Sequence, residues 1–334
     1  MNLRLSKLAI TLLALGISAN AAAEQQTELS SQIFANFSNI QQSDVSVPIE
    51  GWEFDLKRFY LDLNHQFNET WSAVITTDVQ WRRQADPTDV WFRHAYVERK
   101  IGDDKKLWLG VAPLPWIDYV ARKVGYRYVD PSINPMEGFA GPTDLGVHFY
   151  QKGEQFSYGA SVVTGGGFKK PTVGDSADVE AYAAWHATAN WDVAVGIYTG
   201  SRAQDKDEAN KLNTAERFNA SVNYQSKQWR FGVEYVHSNN WNQVATPIED
   251  AKSGWGSWVS YRYAPKYSVF LRYDTSNPSR RLNPSLEKDY IQAGWDWKAT
   301  SYLTVAFVAK HKEQTSATVD RDSNEFGVWT MWNF

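Results

Sequence analysis

The sequence predicts an all-β protein, a transmembrane antiparallel β-barrel of about sixteen strands. Three observations carry this expectation. The stretch 324–334, NEFGVWTMWNF, alternates with a period of two, so that Phe326, Val328, Thr330, Trp332 and Phe334 share one face. It is about as long as a bilayer-spanning strand needs to be. Segments of the same length and periodicity recur along the chain, and the connections between them alternate short and long. Aromatic residues make up 15% of the chain, an excess that girdles at the two membrane interfaces would explain.

Residues 1–23 read as a secretory signal peptide. Arg4 and Lys7 form a charged start, 8–19 is an apolar run, and Ala21, Ala22 and Ala23 offer small residues for cleavage. The run is too short to span a membrane as a helix. Cleavage after Ala22 or Ala23 is a near tie. The barrel is then expected over 24–334. Losing two cations and no acid takes the net charge from −4 to −6. That balance argues against a nucleic-acid partner. The chain has 0 cysteines, which suits export through an oxidising periplasm and removes thiol chemistry. No HExxH spacing or glycine-rich phosphate loop is present, so no metal or other cofactor is expected.

Sixteen alternating segments are predicted at 29–39, 54–66, 71–82, 89–100, 106–114, 142–152, 156–165 and 177–188, then 191–202, 212–225, 228–238, 253–264, 267–276, 288–298, 302–313 and 324–334. In the third, Trp71, Ala73, Ile75, Thr77, Val79 and Trp81 would face lipid, while Ser72, Thr76, Asp78, Gln80 and Arg82 face inward. Short turns such as 68–70, 102–104, 152–154 and 188–190 alternate with connections near 40–53, 115–141, 166–176 and 239–252. In outer-membrane barrels the short turns are periplasmic and the long loops extracellular. A terminal Phe334 with Trp332 two residues before it resembles the insertion signal by which such barrels meet their assembly machinery.

The longest connection, 114–142, follows the fifth segment and is long enough to need a docking place. It carries Arg122, Lys123 and Arg127 beside Trp116, Tyr119 and Tyr126, which predicts a loop folded inward as a narrowing lined by cations. Parity places Arg58, Tyr60, Asp62, Asp78, Arg82, Arg217, Arg230, Arg262 and Arg272 on the inner wall. The fourth segment is ambiguous: either Arg93 and Arg99 face in, or His94, Glu98 and Lys100 do.

FDLKRFYLDL (54–63), WSAVITTDVQ (71–80), AYVERK (95–100), LWLGVAPLPW (107–116), TDLGVHF (143–149) and FSYGASVVTGGG (156–167) occur in an order that resembles the phosphate-selective porin O/P family. The resemblance is clearest over 50–167. It implies a sixteen-stranded, trimeric outer-membrane channel whose pore is lined by arginine and lysine, with Lys57 and Arg58 matching the family's paired cations. The dense arginine ladder of the phosphate-selective members has no counterpart that the sequence locates.

The expected function is a water-filled diffusion channel for small hydrophilic solutes, weakly preferring anions, since rings of charge set the sign that passes. A sugar or oligosaccharide porin is the alternative, with Trp258, Trp329, Tyr60, Tyr150 and Tyr198 at inward parity as stacking surfaces. Saturable block of current by sugar would select it. A non-conducting structural barrel would give no steady conductance. An outer-membrane hydrolase would need a serine beside a histidine, and the six histidines show no such spacing.

Overall fold

The computed structural model describes residues 25–43, 50–81, 88–169, 176–204 and 213–334. The signal peptide expected at 1–23 and the inward cation Arg82 lie outside the described residues. Sixteen antiparallel strands form one closed barrel. They are β1 (Gln26–Gln42), β2 (Gly51–Gln66), β3 (Trp71–Trp81), β4 (Thr88–Ile101), β5 (Lys105–Pro113), β6 (Thr143–Lys152), β7 (Phe156–Val163) and β8 (Asp178–His186). The second half comprises β9 (Trp191–Gly200), β10 (Ala215–Gln225), β11 (Trp229–Asn239), β12 (Ala251–Ala264), β13 (Tyr267–Asn277), β14 (Glu287–Lys298), β15 (Leu303–Thr315) and β16 (Asp320–Asn333). Two helices, α1 (Pro115–Val124) and α2 (Ile133–Met136), lie in the connection between β5 and β6.

All sixteen predicted segments coincide with strands, with ends displaced by a few residues. The largest displacement is in the last strand, which starts at Asp320 because Thr315↔Asp320 extends the ladder with β15 into a tight turn. Each strand pairs with its chain neighbours. Closure comes from β16 pairing with β1, where Ser31 N–H donates to Phe334 O at 2.6 Å. No apolar edge is left to aggregate.

The period of two becomes two surfaces. In β7 the burial alternates strictly, with Phe156, Tyr158 and Val162 outside and Ser157 and Ser161 inside. On β13, Val269, Leu271 and Tyr273 point out while Arg272 and Asp274 are buried inside. An apolar outer belt around a polar interior is what a bilayer selects, and the barrel is of the bacterial outer-membrane type. Leu271→Arg, mid-strand on this belt, is expected to destabilise the membrane-folded protein by about 2–4 kcal/mol. Denaturant titration in lipid vesicles measures it.

Bulges in β2 and β4 break the parity there. Arg58 pairs with Phe34 and Leu56 with Ala35, which leaves Lys57 as an extra residue. His94 pairs with Thr76 and Phe92 with Thr77, which leaves Arg93 extra. A bulge lets neighbouring residues on one strand face the same side. This settles the ambiguous fourth strand: Arg93, His94 and Glu98 all face inward, whereas Arg99 lies over the Trp71 ring at 5.5 Å on the outside.

Candidate functional site: a cation-lined constriction

The connection between β5 and β6 folds into the barrel. Pro115 fits the first helical turn, where no N–H partner is needed. Gly125, with φ of 70°, ends α1 in the left-handed region. Trp116, Ile117, Val120 and Val124 form the helix's buried face, packed against β7, β8, β10 and β11, while Asp118 and Arg122 form an i,i+4 pair on the other. Gly196 on β9 makes room for the indole of Trp116, since a Cβ there would stand 2.6 Å from the ring.

Buried charges clamp the loop. Trp116 donates its backbone N–H to Glu180 at 2.9 Å and its indole N–H to Glu234 at 2.8 Å. Arg217 pairs with the other oxygen of Glu180, both side chains at 0% exposure, and donates to the carbonyl of Phe139 at 3.2 Å. Asn134 of α2 donates to Glu234. Across the lumen, Asp130 receives Lys57 at 3.0 Å and Lys310 at 2.8 Å. Burial pushes the Asp130 carboxyl up, but Lys310, Lys57 and Lys312 outweigh it and hold it well below the usual range. Arg272, paired with Asp274, donates to the carbonyl of Pro131 at 2.5 Å.

Two water-accessible cavities border the loop at its bend. One, of about 450 Å³, lies between the loop and the inner wall at β2 and β4. Arg58, Arg93, Arg122, Arg127 and Lys169 line it, with Asp118 the carboxylate among its lining residues. The other, of about 620 Å³, is a vestibule at the short-turn end. Its lining includes Arg127, Lys227, Arg230, Arg262, Lys266 and Lys298, against Asp296. Gly125 and Arg127 line both, so this bend of the loop is a wall common to the two spaces.

Beside the narrow cavity Arg58 donates to both oxygens of Asp78, at 3.1 and 2.9 Å, and Arg93 stands 3.8 Å from the same carboxylate. Arg93 donates to the Tyr60 hydroxyl at 3.4 Å. Arg127 donates to the same hydroxyl and sits 5.1 Å from the ring centroid. Three guanidiniums therefore surround one carboxylate and one phenol, which leaves a local positive excess.

The expected pore residues thus fall into groups. Arg58, Asp78, Arg122 and Arg127 stand at or beside the narrow cavity, and Arg230 and Arg262 at the vestibule. Lys57, Arg217 and Arg272 are spent on clamping the loop, and Lys123 is tied to Asp192. Asp62 accepts from Thr76 at 2.5 Å on the wall between β2 and β3. Sequence parity missed the joint inward placement of Arg93 and His94, because a bulge has no composition signature. It also passed over Lys227, Lys266 and Lys298, which sit in or beside turns read only as connectors. Of the proposed stacking aromatics, Trp258, Trp329, Tyr60 and Tyr198 are buried, and Tyr150 packs against the cluster around Trp116.

No protein-family model matches the sequence, and no curated protein matches it. Solved structures do match. An anion-selective porin from Comamonas acidovorans superposes with a TM-score of 0.66 at 11% identity, covering 93% of this chain and 100% of that one. The outer membrane channel DcaP of Acinetobacter baumannii gives 0.66 at 11% identity, covering 95% and 99%. The outer membrane protein OmpT of Vibrio cholerae, in its trimer form, gives 0.63 at 15% identity, covering 93% and 99%. Likeness at such low identity speaks to architecture, and it agrees with the strand order found here: this chain has the sixteen-stranded fold of the outer-membrane porins.

Proposed function

We propose that the protein is an outer-membrane porin, a water-filled channel for small hydrophilic solutes that favours anions. The observation that carries this reading is the excess of cations over carboxylates in the two cavities that share Gly125 and Arg127. Fixed charge of one sign along a narrow hydrated path raises the local concentration of the opposite ion and lowers its barrier. The neighbour from Comamonas is itself named anion-selective, which agrees with this reading. Within the porins, the ordered motifs of 50–167 favour kinship with the phosphate-selective O/P type. We also propose a homotrimer, as in the trimer form of the Vibrio protein. Trp332 and Phe334, both exposed on the outer face, would be the signal read by the barrel-assembly machinery.

The test is the reversal potential of the refolded protein in a planar bilayer under a tenfold KCl gradient. A steady conductance with a chloride-favouring potential is expected, together with concentration-dependent reduction of chloride current by added phosphate. A potassium-favouring potential would overturn anion preference, and well-folded barrels without conductance would overturn the channel. The sugar reading is disfavoured because Trp258, Trp329 and Tyr198 are buried and the Tyr60 ring is covered by Arg93 and Arg127.

A further inference from the structure

The barrel brings Ser157 at the start of β7 to a pair that flanks one short turn, His186 at the end of β8 and Asp192 at the start of β9. All three are at the short-turn end and face the lumen. Ser157 Oγ is 2.8 Å from His186 Nε2, and His186 Nδ1 contacts Asp192 Oδ1. An ionised carboxylate can only accept, so the proton on Nδ1 is fixed toward Asp192. The neutral imidazole then offers Nε2 as an acceptor, and the Ser157 hydroxyl donates to it. Nucleophile, base and orienting acid in this order are the geometry that activates a serine. The sequence had shown no serine–histidine spacing because the contact crosses strands at 157 and 186.

A cavity of about 460 Å³ opens beside His186 and Asp192, lined also by Lys123 and Lys227, with Ser157 behind His186 and 6% exposed. It shares Gln225, Ser226 and Lys227 with the vestibule, so the two spaces adjoin at the short-turn end. Lys123 of α1 holds the second oxygen of Asp192, which fixes the carboxylate in place. A second serine–histidine contact, Ser161 Oγ to His148 Nδ1 at 2.8 Å, lacks this arrangement: the other ring nitrogen of His148 has no partner.

We propose that Ser157 is an activated nucleophile, acylated or phosphonylated by small reactive donors that enter from the vestibule. In the step, Ser157 Oγ bonds to the acyl carbon or to phosphorus as its proton passes to His186 Nε2. The bond to the leaving group breaks, and that group departs with the electron pair as phenolate or fluoride. The proton is then released from His186 to solvent. Ser157 lies in register with Lys152 on one side and Ala184 on the other, so its main chain is committed to the sheet. Missing the paired donors of an oxyanion hole costs about 10²–10³ in rate. The adduct therefore forms with reactive donors and is released slowly, which makes this a modification site.

The experiment uses the refolded full-length barrel, its folding checked by circular dichroism and a cooperative denaturant transition. It is treated with a small alkyl fluorophosphonate, or with p-nitrophenyl acetate, and the adduct is located by peptide mass spectrometry. One adduct per chain on Ser157 is expected, absent in Ser157→Ala and unchanged in Ser161→Ala. His186→Gln should slow its formation about 100-fold, the lower range for a positioned general base. A folded barrel with no adduct on Ser157, or one formed at the same rate in His186→Gln, would overturn the proposal. Conductance of the same preparation reports separately on the channel.

Discussion

Arg127→Glu is expected to shift the reversal potential from chloride-favouring toward potassium-favouring. Arg127 lines both cavities, so its charge acts on ions in either space. Its guanidinium is held by the ring and hydroxyl of Tyr60, which gives it a fixed position. A unit charge within a few ångströms of a hydrated ion contributes about 1 kcal/mol in a water-like dielectric. Reversal swings two units, so the permeability ratio should move by about tenfold after salt screening. The introduced carboxylate also pairs with Arg93 or Arg58, which removes a second cation from the path. Arg122→Glu serves as the comparison: its side chain is 67% exposed and already paired with Asp118, so the shift should be several-fold smaller. Equal shifts from the two variants, or none from Arg127→Glu, would move the selectivity point elsewhere.

Arg217→Met should have the largest effect on the loop itself. It leaves Glu180 fully buried beside the N–H of Trp116 without its cation, and it removes the donor to Phe139. Breaking one side of a buried pair costs about 3–5 kcal/mol. Part of that strain can be relieved by releasing the loop from the wall. A lower denaturant midpoint is therefore expected together with larger, noisier single-channel conductance and weaker anion preference. The double variant Arg217→Met with Glu180→Gln should recover much of the stability, since a neutral amide still accepts from Trp116 and carries no unpaired charge. Failure of the double variant to recover stability would show that Arg217 acts through packing alone. An unchanged conductance in the single variant would show that the clamp around Asp130 suffices to hold the loop.

What the sequence determined by itself is the barrel. A period of two is geometric: it puts apolar residues on one face whatever the partner strand, so Phe326, Trp332 and Phe334 declare an outer wall before any pairing is known. Turn and loop lengths then give the order and direction of the strands, and the aromatic anchors of 114–142 announce an inward loop. Tertiary structure alone decided what each lumenal charge does. Arg58 and Arg217 have the same parity and chemistry, yet one stands at the open path and the other is sealed under the loop. Two bulges placed Lys57 and Arg93 inside against the simple alternation, because one unpaired residue moves its neighbours to new faces. The Ser157–His186–Asp192 contact was equally hidden. Cross-strand register brings together side chains that sequence distance keeps apart, and register exists only once the barrel closes.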